Sequence, residues 1–384
     1  MSASFQVDLV DIDGNAILTD IAFERLDYSR SFASVGSMSM VVGPGYDSGR
    51  FERDSLFRIW RTPDGGGTSL EAFGVWFLRE KEVDLDTDTI TIKCEDQMGL
   101  LKRRIVGYES QTILADHAID GTYVGTQPAD DMMKDYVREN MGEDAVIPPL
   151  PGLPDTDRDL RPYLVVSANE SLGPVVSETA SMKNIFDVLK SIRESARSAD
   201  GTELFFDIKA DLNGIFTFRT LIGSLGSSQQ GDIGGLIFSP ENGSLTKATL
   251  TWDWSKEITY TYVGIGGHTS SHAIRYYDDP SSPSRTTATF WNRIEKYVGV
   301  EENSDYQLQG EGEIEAARPK ILLNAQAVDT TNIKYGINYF YGDSVWVQAG
   351  GYKFLCHIHS MKNRVADGGE SPTINLVGEI PTSS

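Results

Sequence analysis

Apolar and polar positions alternate at both ends of the chain, and the alternation predicts strands there. Leu56 to Arg61 reads Leu-Phe-Arg-Ile-Trp-Arg, the pattern of a strand with one wet face. Phe5–Ile12 and Ala16–Phe23 read as two strands joined by a turn at Asp13-Gly14-Asn15. Gly36–Val42, Ala72–Glu80 and Thr89–Cys94 follow as further strands. Near the other end, Gly342-Asp343 precedes the β-favouring run Ser344-Val345-Trp346-Val347, and Gly350-Gly351 turns the chain into a strand over Tyr352–His359. Glycine turns between aromatic and β-branched runs are a strong hairpin signal. Val345 and Val347 should face one side of that strand and Trp346 the other. Thr373–Ile380 supplies a last strand. Many short strands at regular spacing imply a barrel or sandwich.

The middle of the chain changes period. Asp96 opens a short helix with Leu100 and Leu101, and Pro128–Met141 is a helix that Gly142 ends. Ile147–Pro162 is proline-rich and reads as an extended linker. Met182, Ile185, Phe186, Leu189 and Ile192 share one face of a helix that Gly201 stops. Leu204–Ile208 and Ile215–Arg219 form a hairpin around Asn213-Gly214. Helix and hairpin make a small α/β module, inserted between β regions. Gly223–Gly235 reads as a flexible surface loop. Leu245–Val263 is strand-rich and carries Trp252 and Trp254 at period two. Gly264–Arg285 reads mostly as loop. Glu311–Val328 has helical character with Pro319 inside it, so a helix should start near Pro319 or kink there.

With 384 residues, two or three domains are expected. The net charge of -22 disfavours binding nucleic acid through its phosphates, which needs clustered Lys and Arg. It favours solubility, and it would let DNA pass without sticking. No run is long enough to span a bilayer, and the N-terminus lacks the basic start and apolar stretch of a signal peptide. Cys94 and Cys356 are expected to be buried free thiols, consistent with assembly in a cytoplasm.

Candidate chemistry is sparse. Asp84, Asp86 and Asp88 have the spacing of a calcium loop, but Thr89 stands where its glycine is needed. Asp155, Asp157 and Asp159 fail in the same way at Leu160. His357 and His359 share a strand face, with Cys356 on the other, and no third metal ligand is identifiable. His268 and His272 sit in a Gly/Ser loop. No catalytic, cofactor-binding or metal-binding residue is assigned. Two readings stand as rivals to a structural role. One is an acidic, β-rich carbohydrate-active hydrolase using paired carboxylates, since 56 acidic residues make chance pairs inevitable. The other is a carbohydrate-binding module with Trp252, Trp254 and Trp291 as its platform, although alternating tryptophans in a strand are usually half core.

Three places together resemble the tail-tip or baseplate hub proteins of tailed phages, similar to the hub region of tail-associated lysins. The first is Asp11–Asn15, Phe32–Met40 and Leu56–Arg61. The second is Thr89–Ile92 with Asp96, Leu100, Leu101, Arg103 and Arg104. The third is Tyr335–Tyr339 with Tyr341–Val347. The resemblance implies a mainly β chain with a smaller α+β part: two β-barrel tube domains and an inserted α/β domain. The first barrel would span 1–107 and the α/β insertion 108–235. The second barrel would be discontinuous, over 236–265 and 332–384, interrupted by a loop and helix at 266–331. It implies a virion protein of the tail tip, assembled in the host bacterial cytoplasm. As a homotrimer it would close the distal end of the tail tube and adapt a six-fold tube to a three-fold tip. Its partners would be the tube or distal tail ring above, fibre, tip or receptor-binding proteins, and the tape-measure protein. DNA would only pass through, without a cofactor or membrane insertion.

Overall fold

The computed structural model describes residues 3–106, 123–145, 160, 162–180, 183–223, 226–227, 236–265, 274–278, 294–300, 306–317, 320–366 and 369–381. The first third supplies β1 (Ser4–Val10), β2 (Ala16–Leu18), β3 (Phe23–Ser31), β4 (Ser37–Val42), β5 (Leu56–Thr62), β6 (Ser69–Asp84) and β7 (Thr89–Asp96). The middle supplies β8 (Tyr123–Pro128), β9 (Leu164–Val166), β10 (Val175–Ala180), β11 (Leu204–Ala210) and β12 (Phe216–Ile222). Its helices are Gly99–Lys102, Ala129–Met141 and Ile185–Asp200. The remainder holds β13 (Ile237–Phe238), β14 (Leu245–Asp253), β15 (Tyr260–Ile265), β16 (Ile274–Asp278), β17 (Glu295–Val300) and the Tyr306–Ala316 helix. It ends with β18 (Lys320–Ala327), β19 (Ser344–Ala349), β20 (Tyr352–Ala366) and β21 (Gly369–Pro381).

The chain is mainly β, with a smaller α+β part. Its centre is a 13-stranded sheet in the order β14-β18-β21-β20-β3-β4-β7-β6-β5-β1-β2, with β19 on β20 and β13 on β19. The two ends of the chain meet where Ser360–Ala366 of β20 pairs antiparallel with Arg25–Ser31 of β3. Two closed barrels were expected, but among the described residues the pairing path is open and continuous. The cause lies at His359. β20 pairs with β19 up to His357, shifts register between Ile358 and Ser360, and then gives its edge to β3. An edge spent on joining the halves is not available to close one of them.

Two apolar cores result. One gathers Val7, Leu26, Tyr28, Trp76 and Ile92 from the first third with Val345, Val347, Phe354, Ile358 and Leu376 from the last. Each such side chain contributes roughly 1.5–3 kcal/mol on burial, so one shared core couples the two ends strongly. The other core lies in the inserted module, where Met133, Tyr136, Ile185, Leu189 and Ile192 pack on Phe206 and Phe218. It also takes Val10, Leu56, Val75 and Phe77 from the sheet. β5 is therefore buried on both faces, with Phe57 and Ile59 pointing into the first core and Leu56 into the second.

The local signals of the module hold. Asn184 caps the Ile185–Asp200 helix by accepting from the Phe186 N–H at 3.0 Å, and Gly201 ends it at φ 79°. Other expectations are corrected. The Tyr306–Ala316 helix stops before Pro319, and the residues beyond form β18, burying Ile321, Leu323, Ala325 and Ala327 at period two. The strand expected over Ala16–Phe23 breaks at Asp20, whose φ is 54°, and β3 starts at Phe23. β16 is a strand inside the stretch read as loop, and β20 continues seven residues past His359 to Ala366. β15 pairs with β16 and β17 in a separate small sheet, on which the Tyr306–Ala316 helix packs through Gly310 against Tyr277 and Val263. No helix among the described residues is long and apolar enough to cross a membrane. His268, His272, Trp291, Met182, Asp155, Asp157, Asp159 and most of the proline-rich and Gly223–Gly235 segments lie outside the described residues.

Candidate functional site

Charged residues are buried where the sheet halves and the module converge. Arg30, on β3, is 3% exposed. Its Nε donates to Asp96 Oδ2 at 3.0 Å, and its Nη2 donates to Asp207 Oδ1 at 2.8 Å. Its guanidinium carbon lies 5.3 Å from the Tyr341 ring centroid. First third, module and last third thus share one cation. Burial works against that charge, but Asp207 and Asp96 outweigh it and hold Arg30 above the ordinary arginine range. A buried pair of this kind adds little net stability when formed and costs much when broken.

A second node joins the two sheet halves directly. Arg61 grips Glu370 as a fork, Nε to Oε2 at 3.1 Å and Nη2 to Oε1 at 2.9 Å, and its Nη1 donates to the Tyr335 carbonyl at 3.0 Å. The guanidinium also lies over the Tyr335 ring, 5.0 Å from its centroid. Tyr335 Oη donates to Glu71 Oε1 at 2.8 Å, and Asn363 Nδ2 donates to Tyr28 Oη at 3.0 Å and Glu370 Oε2 at 3.2 Å. Burial pushes the Glu71 carboxyl up, against the pull of Arg61 and the Tyr335 hydrogen bond. Gly336 is required beside this node. Its φ is 78°, and a Cβ there would sit 2.0 Å from Arg61 Nη1.

The module docks through two turns of one shape. Asp11 Oδ1 accepts from Asn15 N at 2.7 Å, and Asp211 Oδ1 accepts from Ile215 N at 2.8 Å. The turns meet glycine to glycine: a Cβ on Gly214 would lie 2.1 Å from the Ile12 carbonyl oxygen, and one on Gly14 would lie 2.5 Å from that of Leu212. Arg58 ties them together, donating to the Gly14 and Leu212 carbonyls, each at 2.9 Å. Alongside, Phe205 of the module packs on Phe32 at 4.9 Å and on His357 at 5.6 Å between ring centroids. His359 stands edge-on to Phe32 at 5.2 Å. Burial, helped by Arg193 and His357, holds His359 below the usual histidine range.

Each buried acid of these nodes holds an arginine or a tyrosine, so the groups pin the elements to one another. Of the residues singled out in the sequence, those described fall elsewhere or serve packing. Asp84 Oδ1 accepts from Asp86 N at 2.9 Å and Thr87 N at 3.2 Å, organising the exposed β6–β7 turn. His357 Nδ1 lies 3.1 Å from Ser344 Oγ. Cys94 and Cys356 are free and buried, and burial pushes the Cys356 thiol up to about 12. Among the described residues no three His, Cys, Asp or Glu are grouped to hold a metal ion. Trp252 and Trp254, expected half in the core, are 42% and 56% exposed. The sequence reading named Asp96 and Arg61 only within expected elements and as part of the resemblance, and it missed Arg30, Glu71, Asp207 and Glu370. A signal existed for Arg30, which continues the period-two row of Leu26 and Tyr28 and is buried like them.

The family model described as "Siphovirus ReqiPepy6 Gp37-like protein" matches residues 75–377. No curated protein sequence matches. Among solved structures, the tail protein from Neisseria meningitidis MC58 is similar at a TM-score of 0.55 and 11% identity, covering 98% of this chain and 97% of that one. The 43 kDa tail protein of prophage MuSo2 from Shewanella oneidensis gives 0.55 and 12%, covering 98% of each chain. Prophage tail protein gp18 from Listeria monocytogenes EGD-e gives 0.53 and 11%, covering 97% of this chain and 94% of that one. At such identities the likeness is one of fold.

Proposed function

The chain belongs to the Siphovirus ReqiPepy6 Gp37-like protein family, and from that premise we propose that it is a structural tail protein, the hub that closes the distal end of the tail tube. One observation carries the reading: a single sheet built from both ends of the chain, within a fold shared almost end to end with phage tail proteins. β5–β6–β7 and β19–β20–β21 are similar three-stranded meanders, one per sheet half. Three copies of the chain would present six of them, which suits adaptation of a six-fold tube to a three-fold tip. In this reading the halves are the tube domains, with the α/β module inserted between them. The tube or distal tail ring sits above, and fibre, tip or receptor-binding proteins and the tape-measure protein are further partners.

The shared core and the buried arginine nodes support a passive, rigid role. Nothing in that role needs a titrating nucleophile. The net charge of -22 would keep passing DNA from binding to the channel wall. Negative-stain imaging together with sedimentation of the purified protein tests the proposal. A ring with a central hole and three times the chain mass is expected. A monodisperse monomer across micromolar concentrations would overturn it.

A further inference from the structure

The seam where β3 meets β20 has two faces. One turns Leu26, Tyr28, Met40, Met361 and Ile374 into the main core. The other carries the alternate positions of β21, β20, β3, β4 and β7, exposed or half-buried. Its middle is hydroxylic: Ser29, Ser31, Ser37, Ser39, Ser360 and Thr373. These side chains bond to one another or to amides across the strands. Ser29 Oγ lies 2.9 Å from Ser37 Oγ, and Asn375 Nδ2 donates to Ser360 Oγ at 2.8 Å. Charges enter this face in balance, row by row across the sheet. Arg364 and Lys93 share a row with Asp27 and Glu80, Arg25 shares one with Glu82, and Lys362 shares one with Glu95. Lys93 Nζ donates to Glu80 Oε1 at 2.6 Å, and Arg25 Nε donates to Asp27. Glu95, at the margin next to the module, is also held by Arg79 and Arg103. This balance stands on a chain with 34 basic and 56 acidic residues.

Apolar side chains are nearly absent from these rows, where Val41 is half-buried and no large apolar residue is exposed. Exposed apolar side chains stand elsewhere: Ile17 on β2, Val175 and Leu212 on the module, Trp254 beside β14, and Tyr297 on the small sheet. The centre of a protein–protein interface is apolar and poor in charge, so the seam face has the wrong character to be covered by protein. A surface that holds DNA needs cations in excess, to displace the counterions of the phosphates. Here every row with a cation has its anion.

We propose that this seam face is the inner wall of the ring, and that duplex DNA moves along it without being held. This rests on the reading of the chain as a ring-forming hub and names the surface that faces the channel. Both halves of the sheet build the face, so three copies would set six half-faces around the passage. The acidic excess of the whole chain acts on DNA as it approaches. At the wall, charges farther off than about 8 Å are largely screened at physiological salt, and the balance within the rows decides whether a phosphate is retained. Short hydroxyls tied to their neighbours keep the surface hydrated and leave a passing polymer little to grip.

Single cysteines, Ser39→Cys and Ser360→Cys, test the placement, because the natural thiols Cys94 and Cys356 are buried. Sedimentation and thermal melts check that each variant assembles and folds. The assembled protein is labelled with biotin maleimide and then challenged with streptavidin, which is bulkier than a DNA duplex. The label is expected to attach to the ring, and capture by streptavidin to be lost until urea opens the ring. If the labelled ring is captured as readily as the opened chain, the face points outward, and this inference fails while the hub reading stands. If the cysteines react only after the ring is opened, the face is a subunit contact and the inference fails in the same way. A natural chain that stays a monomer throughout overturns the hub reading itself. Retention of duplex DNA by the natural ring at moderate salt, lost in a Lys362→Ala/Arg364→Ala variant, would make the face a binding surface and would also overturn the proposal.

Discussion

β5–β6–β7 and β19–β20–β21 are two settings of one design. Each has an aspartate-serine pair at its start: Asp54-Ser55 just precedes β5, and Asp343-Ser344 leads into β19, which opens on Ser344. Each has a long middle strand with a register shift, at Leu78/Glu80 and at Ile358/Ser360. Their surroundings differ. β5 pairs with β1 over seven positions, and its second face lies under the inserted module. Among the described residues β19 has only the two-residue β13 on its outer side. The first setting is finished by its own chain. The second ends on β14, whose one described partner is β18.

The comparison breaks most sharply at the buried nodes. Arg30→Met would leave Asp96 and Asp207 facing each other in the interior, and should cost about 3–5 kcal/mol in urea unfolding. Arg61→Met should fall in the same range, but with a different signature: hydrogen exchange should rise first along the β3–β20 seam and not in the module. Uniform loosening in both variants would mean that the nodes do not divide the molecule as described.

Glycine turns give the next largest contrast. Gly351 has φ 86° with open space where a Cβ would go, so Gly351→Ala should cost only the backbone strain, about 1–2 kcal/mol. Gly214, at φ 79°, carries similar strain and a 2.1 Å clash with the Ile12 carbonyl oxygen. Gly214→Ala should therefore lose about twice as much or more, with the module parting from the first half. Equal melting temperatures for the two variants would contradict the tight docking of the turns.

Smaller effects come from titration. His359 is held below its ordinary value of 6.5 by burial, Arg193 and His357. Between the two values the unfolded chain binds more protons than the native one. The contribution of His359 to stability is then complete above about pH 6.5 and declines as pH falls through the native value. Relative to His359→Gln, the natural chain should lose stability on acidification; parallel pH profiles would refute this. Glu71 has the opposite sign. Its carboxyl is raised by burial, so stability falls as pH rises through its native value, and Glu71→Gln keeps an oxygen to accept from Tyr335. That variant should match or slightly exceed the natural chain near neutral pH, and a loss above about 1 kcal/mol would show that the charge itself is needed.

Much of the fold was legible in the sequence wherever a local signal sufficed. The hairpin at Gly350-Gly351, the Gly201 helix stop and the Asn213-Gly214 turn all follow from residues that alone tolerate those backbone angles. β18 was hidden because alanines and leucines beyond Pro319 suit a helix as well as a strand, and only the sheet decided between them. β3, the seam strand, was hidden because its buried row of Leu26 and Tyr28 is short and continues into a charged residue, Arg30. Arg30 is buried only because Asp96 and Asp207 arrive from 66 and 177 positions away. Such pairings are long-range facts that no local window contains. The same holds for the exposed tryptophans, whose period-two spacing is that of a half-buried strand, while Trp252 lies on the end strand of the described sheet and Trp254 just past it.

A cryo-EM reconstruction of the assembled protein tests the central claim most directly. The account predicts three copies around a central channel, with the two sheet halves of each copy lining it. A closed particle without a channel, or a protein that stays a single copy, would contradict it.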